Sequence, residues 1–191
     1  MSDLPTCSWP TSDPLMICYH DEEWGVPLHD DQKIFEFLVL DAFQAGLSWR
    51  TVLHKRENFR IAFDGFDVKK IAKYNDQDFD RLMADEGIIR NKSNIHSTVQ
   101  NARCFLEVQK EFGTFDEYIW QFTGKKTINN RLASLSSMPV SSPESDAMSK
   151  DLKKRGFKFV GSTICYAFMQ AAGMVNDHLV HCHKYKYCNV K

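Results

Sequence analysis

The stretch VNDHLVHCHKYKYC, residues 175–188, gathers three of the chain's seven histidines and two of its six cysteines. His178 and Cys182 are four residues apart at the end of a helical pattern, a spacing that places two side chains on one face within reach of a single ion. Zinc takes four nitrogen or sulfur ligands in a tetrahedron. The N-terminal segment offers two more donors, Cys7 in TCSWP and His20 in ICYHDEEWG. A site built from Cys7, His20, His178 and Cys182 would join the two ends of the chain, and with every position filled by protein it has no place for an activated water. The ion expected there is structural. His181, His183 and Cys188 are rival ligands that lie beyond the predicted helix.

A second group of residues has the chemistry of an anion site. In SSPESDAMSKDLKKRG, Ser142 is placed to cap a helix, Pro143 to open it, acids fill the first turn and bases the last, and Gly156 terminates it. This predicts a helix over 143–155. After the connection GFKFVG, the run STICYAFMQAAGMV predicts a buried helix ending near Gly173, with Ile164, Phe168 and Ala171 on one face. Gly156 and Gly161 allow close backbone approach, and the free N–H groups of the second helix point out of the turn. Lys150, Lys153, Lys154, Arg155 and Lys158 surround it, with Asp151 alone opposing. A helix-hairpin-helix of this kind, over about 143–174, grips a DNA duplex through phosphates without reading its sequence. GIIRNKSNIHSTVQNAR, with Arg90, Lys92 and Arg103, is either the other wall of that groove or a plain solvated face.

These residues need a scaffold, and the composition supplies one. With 43% apolar and 13% aromatic residues, 191 positions suffice for one packed domain, 1–191, of two helical lobes sharing a groove. A net charge of −1 gives no global field, so a polyanion must meet a local patch. No apolar run approaches the roughly 18 residues of a membrane span, and the opening MSDLPTCSWPT lacks the basic flank and apolar core of a signal peptide. A cytoplasmic monomer without disulfides is expected, with Cys18, Cys104 and Cys165 as inert core thiols. Ile34, Phe35, Leu38, Leu40 and Phe43 fall on helical spacing after a cap at Asp30 or Asp31, and a second run starts at Ser48. Asn75 caps a short helix ending near Asp85, a long helix covers about 92–112 before Gly113, and 123–141 reads as an exposed loop. The fold class is all-α.

Taken together, CSWP, DPLMICYHDEEWGVP, LDAFQAGLSWRTVLHKRENFR, GIIRNKSNI and SDAMSKDLKKRGFKFVGSTICYAFMQAAGMVNDH resemble the bacterial 3-methyladenine DNA glycosylase I family, of the Tag type, over nearly the whole chain. The resemblance implies a helix-hairpin-helix glycosylase fold, a structural zinc on Cys7, His20, His178 and Cys182, and excision of N3-methyladenine from alkylated double-stranded DNA. It implies a base pocket of Trp9, Tyr19, Asp41 and Trp49, with Asp41 and Tyr19 closest to the chemistry. The family's pocket acid is a Glu, so Asp41 holds its carboxylate about one C–C bond, ~1.5 Å, further back. Asn176 falls where many helix-hairpin-helix glycosylases carry an Asp beside the sugar.

Such an enzyme must extrude the nucleotide before it can reach the base. N3-methylation makes adenine cationic, so aromatic faces and one carboxylate separate it from the neutral base, and the charged base already leaves readily. Gly46 and Leu47 are candidates to enter the gap in the duplex; Gly156, Lys158, Gly161 and Lys154 are the phosphate contacts. No lysine is placed as a Schiff-base nucleophile, so no lyase step is expected. Trp24 and Trp120 read as core, and Asp21, Glu22 and Glu23 as a solvated acidic run. The alternative, motivated by Asp41, is a zinc-clasped DNA-binding or lesion-sensing module of the same fold with weakened catalysis; a zinc hydrolase would need an open coordination position.

Overall fold

The computed structural model describes residues 5–188. Residues 1–4, part of the opening stretch read for a signal peptide, lie outside the described residues. The elements in chain order are α1 (Pro14–Glu22), α2 (Asp31–Phe43), α3 (Trp49–His54), α4 (Arg56–Ala62), α5 (Val68–Ile71), α6 (Asp76–Ala84), α7 (Lys92–Phe112), α8 (Phe115–Ile119), the strand β1 (Ile128–Asn129), α9 (Pro143–Lys154), α10 (Ser162–Ala171) and the strand β2 (Val175–Asn176). The two strands pair in parallel, Ile128 with Val175 and Asn129 with Asn176. The fold is therefore mostly helical, with a two-residue bridge that helical periodicity could not announce. No helix among the described residues is long and apolar enough to cross a membrane.

α2 is the axis of the core. Every residue from Ile34 to Phe43 is buried, and the helix packs against α3, α7, α8 and α10. A helix that is apolar nearly all round must be surrounded. Its Phe35 and Phe43 pack against Phe105 and Phe59, with Phe63 and Phe115 beside them and Phe105 and Phe115 stacked at 3.9 Å. Asp30 caps α2 by accepting from the Lys33 N–H. Asp31, the other candidate cap, instead accepts from the backbone N–H groups of Phe115 and Asp116 and so caps α8.

The local signals around α9 hold. Ser142 and Ser145 form a reciprocal capping box, Pro143 opens the helix and Arg155 ends it. α7 runs from the Asn91 cap to Gly113 at φ +89°. Gly173 follows α10 at φ +66°, and a Cβ there would fall 2.3–2.5 Å from the backbone of Val26 and Pro27. Gly173→Ala is expected to destabilise the fold by roughly 2–4 kcal/mol, through forbidden φ and overpacking together, read as a fall in the urea midpoint.

Several expectations are corrected. The segment 123–141 is not simply an exposed loop: it contains β1, buries Leu132, and delivers Met138 to a cavity. The chain from His178 to Cys182 is not helical; after β2 it turns, with the Cys182 N–H donating to the Leu179 carbonyl. Cys18 is exposed, whereas Cys104 and Cys165 are buried as expected. Of the acidic run, only Glu22 is free to solvent in the expected way; Asp21 and Glu23 are committed to His20 and Arg56.

Candidate active site and metal cluster

A cavity of about 180 Å³ opens where the N-terminal segment, α1, α2, α3 and α10 converge. Trp9, Tyr19, Asp41 and Trp49 all line it, joined by Trp24, Gln44, Met138, Ala167 and Gln170. Tyr19 and Trp49 lie 5.1 Å apart between ring centroids, and Trp9 meets Trp24 edge-on at 5.0 Å. Tyr19 reaches the cavity from α1, which forms because Asp13 caps it and Pro14 fixes its first turn. Trp24, read as core, is both buried and part of this wall.

Asp41 sits in the last turn of α2 and is 4% exposed. α2 carries a second buried acid, and the contrast is informative. Glu36 accepts from Arg56 and Arg60, so its charge is matched. The Asp41 Oδ2 atom has no hydrogen-bond partner among the described residues. Burial therefore pushes the Asp41 carboxyl well above the usual carboxylate range. Among the described residues four buried polar side-chain atoms lack a partner, and three of them, Trp9 Nε1, Trp49 Nε1 and Asp41 Oδ2, belong to residues of this one cavity. Buried polar groups are normally satisfied, and two indole N–H donors beside one carboxylate oxygen at a single cavity mark a site prepared for a ligand that offers acceptors to the first and a donor or positive charge to the second. Burial raises the Tyr19 phenol, which stays a protonated donor.

Behind Trp9 lies the Cys and His cluster. Cys7, His20, His178 and Cys182 are all buried, and one donor atom from each lies within 4.8 Å of the others. The Cys182 Sγ is 3.5 Å from His20 Nε2 and 3.6 Å from His178 Nδ1, and the Cys7 Sγ is 3.9 Å from His178 Nδ1. The outward nitrogens are committed: His20 Nδ1 donates to Asp21 Oδ1 at 2.7 Å and His178 Nε2 to the Trp24 carbonyl at 2.9 Å. That fixes each tautomer with its lone pair facing the centre. The hydrogen bond from Cys7 pulls the Cys182 thiol far down while the same contact and burial hold Cys7 up. Two adjacent buried thiols cannot both ionise on protons alone; a cation between them resolves the conflict. The four residues could hold a metal ion. Of the rivals, His181 is exposed, His183 bonds Pro5 and Asp21, and Cys188 is buried outside the cluster. Trp9, two residues from Cys7, lies 5.3 Å from the His20 ring, so the cluster and the cavity share a wall.

The hairpin between α9 and α10 presents Lys150, Lys153, Lys154 and Lys158 exposed. Arg155 does not join them, because it pairs with Asp151 and Glu111. Gly156 takes φ +94°, and the space before Gly161 is open. Asn101 on α7 clamps Lys158 at both its N–H and its carbonyl, at 2.8 and 3.0 Å. Gly161 precedes Ala167 by six residues of helix, about 9 Å along the axis. Leu47 is 44% exposed and Gly46 takes φ +79°, in the loop just before Trp49. Asn176 is buried in β2, bonded to Tyr185 and His178, away from the cavity lining. Arg103 donates to the Ala72 carbonyl and Arg90 reaches Glu86 at 4.0 Å, so the α7 segment is less free than its charges suggest. Gln44, Met138, Ala167 and Gln170 had no signal of their own, although Ala167 and Gln170 lie three apart on a helix already predicted.

A family model described as methyladenine glycosylase matches residues 9–185. The chain is 50% identical to DNA-3-methyladenine glycosylase 1 of Escherichia coli (strain K12) over 179 residues, 94% of this chain and 96% of that one. It is 48% identical to DNA-3-methyladenine glycosylase of Haemophilus influenzae over 176 residues, 92% and 95% of the two chains. Among solved structures, a single-site variant of 3-methyladenine DNA glycosylase I in complex with 3-methyladenine superposes with a TM-score of 0.91 at 33% identity, covering 97% of this chain and 98% of the other. With aromatic walls around a buried acid and this match along almost its full length, the chain belongs to the methyladenine glycosylase family.

Proposed function

We propose that this protein hydrolyses the N-glycosidic bond of N3-methyladenine in alkylated double-stranded DNA, taking the flipped base into the Trp9, Tyr19, Asp41 and Trp49 cavity. The observation that carries the reading is Asp41, a buried acid whose Oδ2 has no partner among the described residues, in an aromatic slot. Stacking contributes roughly 1–3 kcal/mol per base and accepts any purine. Selectivity must come from charge: the cationic base supplies the counter-ion that Asp41 lacks, and a neutral adenine does not. Since the positive base leaves readily, most of the catalysis is binding of the departing group. Among the described residues Asp41 is the one acid lining the cavity, so no further carboxylate supports the sugar, which confines the enzyme to labile lesions. No lyase step is expected.

The metal is read as zinc. A tetrahedron with Zn–S near 2.3 Å and Zn–N near 2.05 Å has S···N edges of about 3.5 Å, close to the observed 3.5, 3.6 and 3.9 Å. It would tie residues 7 and 20 to 178 and 182 and thereby hold Trp9 in place. The chain is read as one domain of two helical lobes, a cytoplasmic monomer, with 143–174 as the helix-hairpin-helix. Gly156, Lys158, Gly161 and Lys154 would hold phosphates of the lesion strand, while Gly46 and Leu47 would fill the gap left by the extruded nucleotide. Replacing Lys154 and Lys158 together by Ala is expected to lower the salt slope of duplex binding by about 2 and to weaken all sequences alike, because each phosphate contact contributes a slope near 0.9. A fluorescence anisotropy titration over a salt series reads both.

The activity is tested by incubating methylated duplex with the protein and measuring released free bases by chromatography. Release of 3-methyladenine supports the reading. Tight binding of damaged duplex without release would favour a lesion-binding module, for which the short side chain of Asp41 is the motivating feature.

A further inference from the structure

The mechanism leaves another buried carboxylate, one bonded to a residue of the cavity wall, unused. Asp177 is 1% exposed, and three side chains donate to it. Its Oδ1 accepts from Asn130 Nδ2 at 2.6 Å, and its Oδ2 accepts from the Tyr166 hydroxyl at 2.9 Å and from Gln170 Nε2 at 2.7 Å. Asn130 also donates to the Tyr166 oxygen at 3.0 Å. Tyr166 and Gln170 are one turn apart on α10, so Asp177 spans one face of that helix from the far side of β2. Of these residues only Gln170 lines the cavity, where it faces the same space as Asp41.

A glutamine amide can be turned either way, but not beside this carboxylate. Only the NH₂ end can face Asp177, since the carbonyl end would set two acceptors against each other. The amide oxygen is therefore turned away from Asp177, the free acceptor of a side chain that lines the cavity. α10 and α2 pack together, and each then contributes an acceptor to the cavity: the Gln170 carbonyl and the Asp41 carboxylate.

We infer that Gln170 is a specificity-determining residue that accepts a hydrogen bond from the exocyclic amine of the flipped purine, with Asp177, Tyr166 and Asn130 as the positioning residues that fix its amide. The inference rests on the excision reading and adds what that reading does not supply, a means of choosing among cationic purines. N3-methyladenine and N3-methylguanine are both positively charged and similarly flat, so stacking and Asp41 alone separate them weakly. They differ at the 6-position: an amine that donates two hydrogen bonds in adenine, a carbonyl that donates none in guanine. A fixed acceptor there favours the first and sets two oxygens against each other for the second.

Gln170→Met keeps length and flexibility and removes the acceptor; Gln170→Leu is the second variant should the first fold poorly. With each, kcat/KM for release of 3-methyladenine is expected to fall about tenfold, the worth of one hydrogen bond, while release of 3-methylguanine stays constant or rises. The ratio of the two is the readout, because a merely structural defect lowers both alike. Equal losses for both lesions, or no loss for either, would overturn the inference. Quenching of the tryptophans that line the cavity by free 3-methyladenine and free 3-methylguanine gives an independent arm. If the unaltered protein releases neither base, the excision reading fails, and the quenching titration still decides Gln170. A selective loss of 3-methyladenine affinity in Gln170→Met supports it, and unchanged affinities or no binding of either base overturn it.

Discussion

Replacing Asp41 by Asn is expected to lower kcat/KM for 3-methyladenine release by roughly 10- to 150-fold, corresponding to about 1.5–3 kcal/mol for a hydrogen bond to a charged group. Asp41→Glu, which restores the reach of a longer acid, should retain activity. The pH dependence carries the sign of the effect. Burial raises the Asp41 carboxyl above its ordinary value of 3.8, so the empty pocket favours the neutral acid. A cationic base is attracted by the ionised form, and kcat/KM should therefore rise with pH through the raised pKa. Stability runs the other way. A group whose folded pKa lies above its unfolded value contributes stability that is complete below about 3.8 and is lost as pH rises through the folded pKa. The unaltered protein should show that loss in chemical denaturation, and Asp41→Asn should lack it. A flat activity profile in the unaltered protein, or a parallel stability profile in the variant, would count against a buried carboxylate as the discriminating group.

Loss of the metal ligands is the second large effect. Cys7→Ser and His178→Ala should each bring the bound metal from about one per chain to none. If free metal stands roughly a thousandfold above its dissociation constant, the lost linkage is about 4 kcal/mol, or some 8–16 °C in Tm for a chain of this size. Chelation of the unaltered protein should reproduce both changes. Because Trp9 lies two residues from Cys7 and packs on the His20 ring, base release should fall with the metal although no ligand touches the cavity. Cys188→Ala, outside the cluster, should keep the metal. A Tm that ignores chelation would leave the four donors as a hydrogen-bonded cluster and nothing more.

The sequence announced most of the helices, because their caps are written locally. Ser142, Pro143 and Gly156 bound α9, Asn75 caps α6 and Gly113 closes α7, and the structure places all of them as their chemistry requires. The metal donors were legible by residue type, but not for the right geometric reason. His178 and Cys182 meet through a turn after β2 instead of one helix face. What was illegible is non-local. The pairing of Ile128 with Val175 needs two segments that carry no strand pattern of their own. Met138 reaches the cavity from a polar stretch that read as exposed. The fates of the acids are the clearest case: Glu36, Asp41 and Asp177 look alike in a list of charges. Packing decides that Glu36 meets two arginines, Asp177 meets three donors, and Asp41 Oδ2 meets none among the described residues.

Charge, as distinct from shape, is the claim on which this account turns, and one comparison addresses it without intermediaries. Duplexes bearing a single N3-methyladenine or its neutral 3-deaza isostere differ in charge far more than in outline, and rapid-mixing fluorescence can measure their binding before release. The account predicts at least tenfold tighter binding of the charged lesion, with the advantage shrinking in Asp41→Asn; equal affinities for the two duplexes would contradict it.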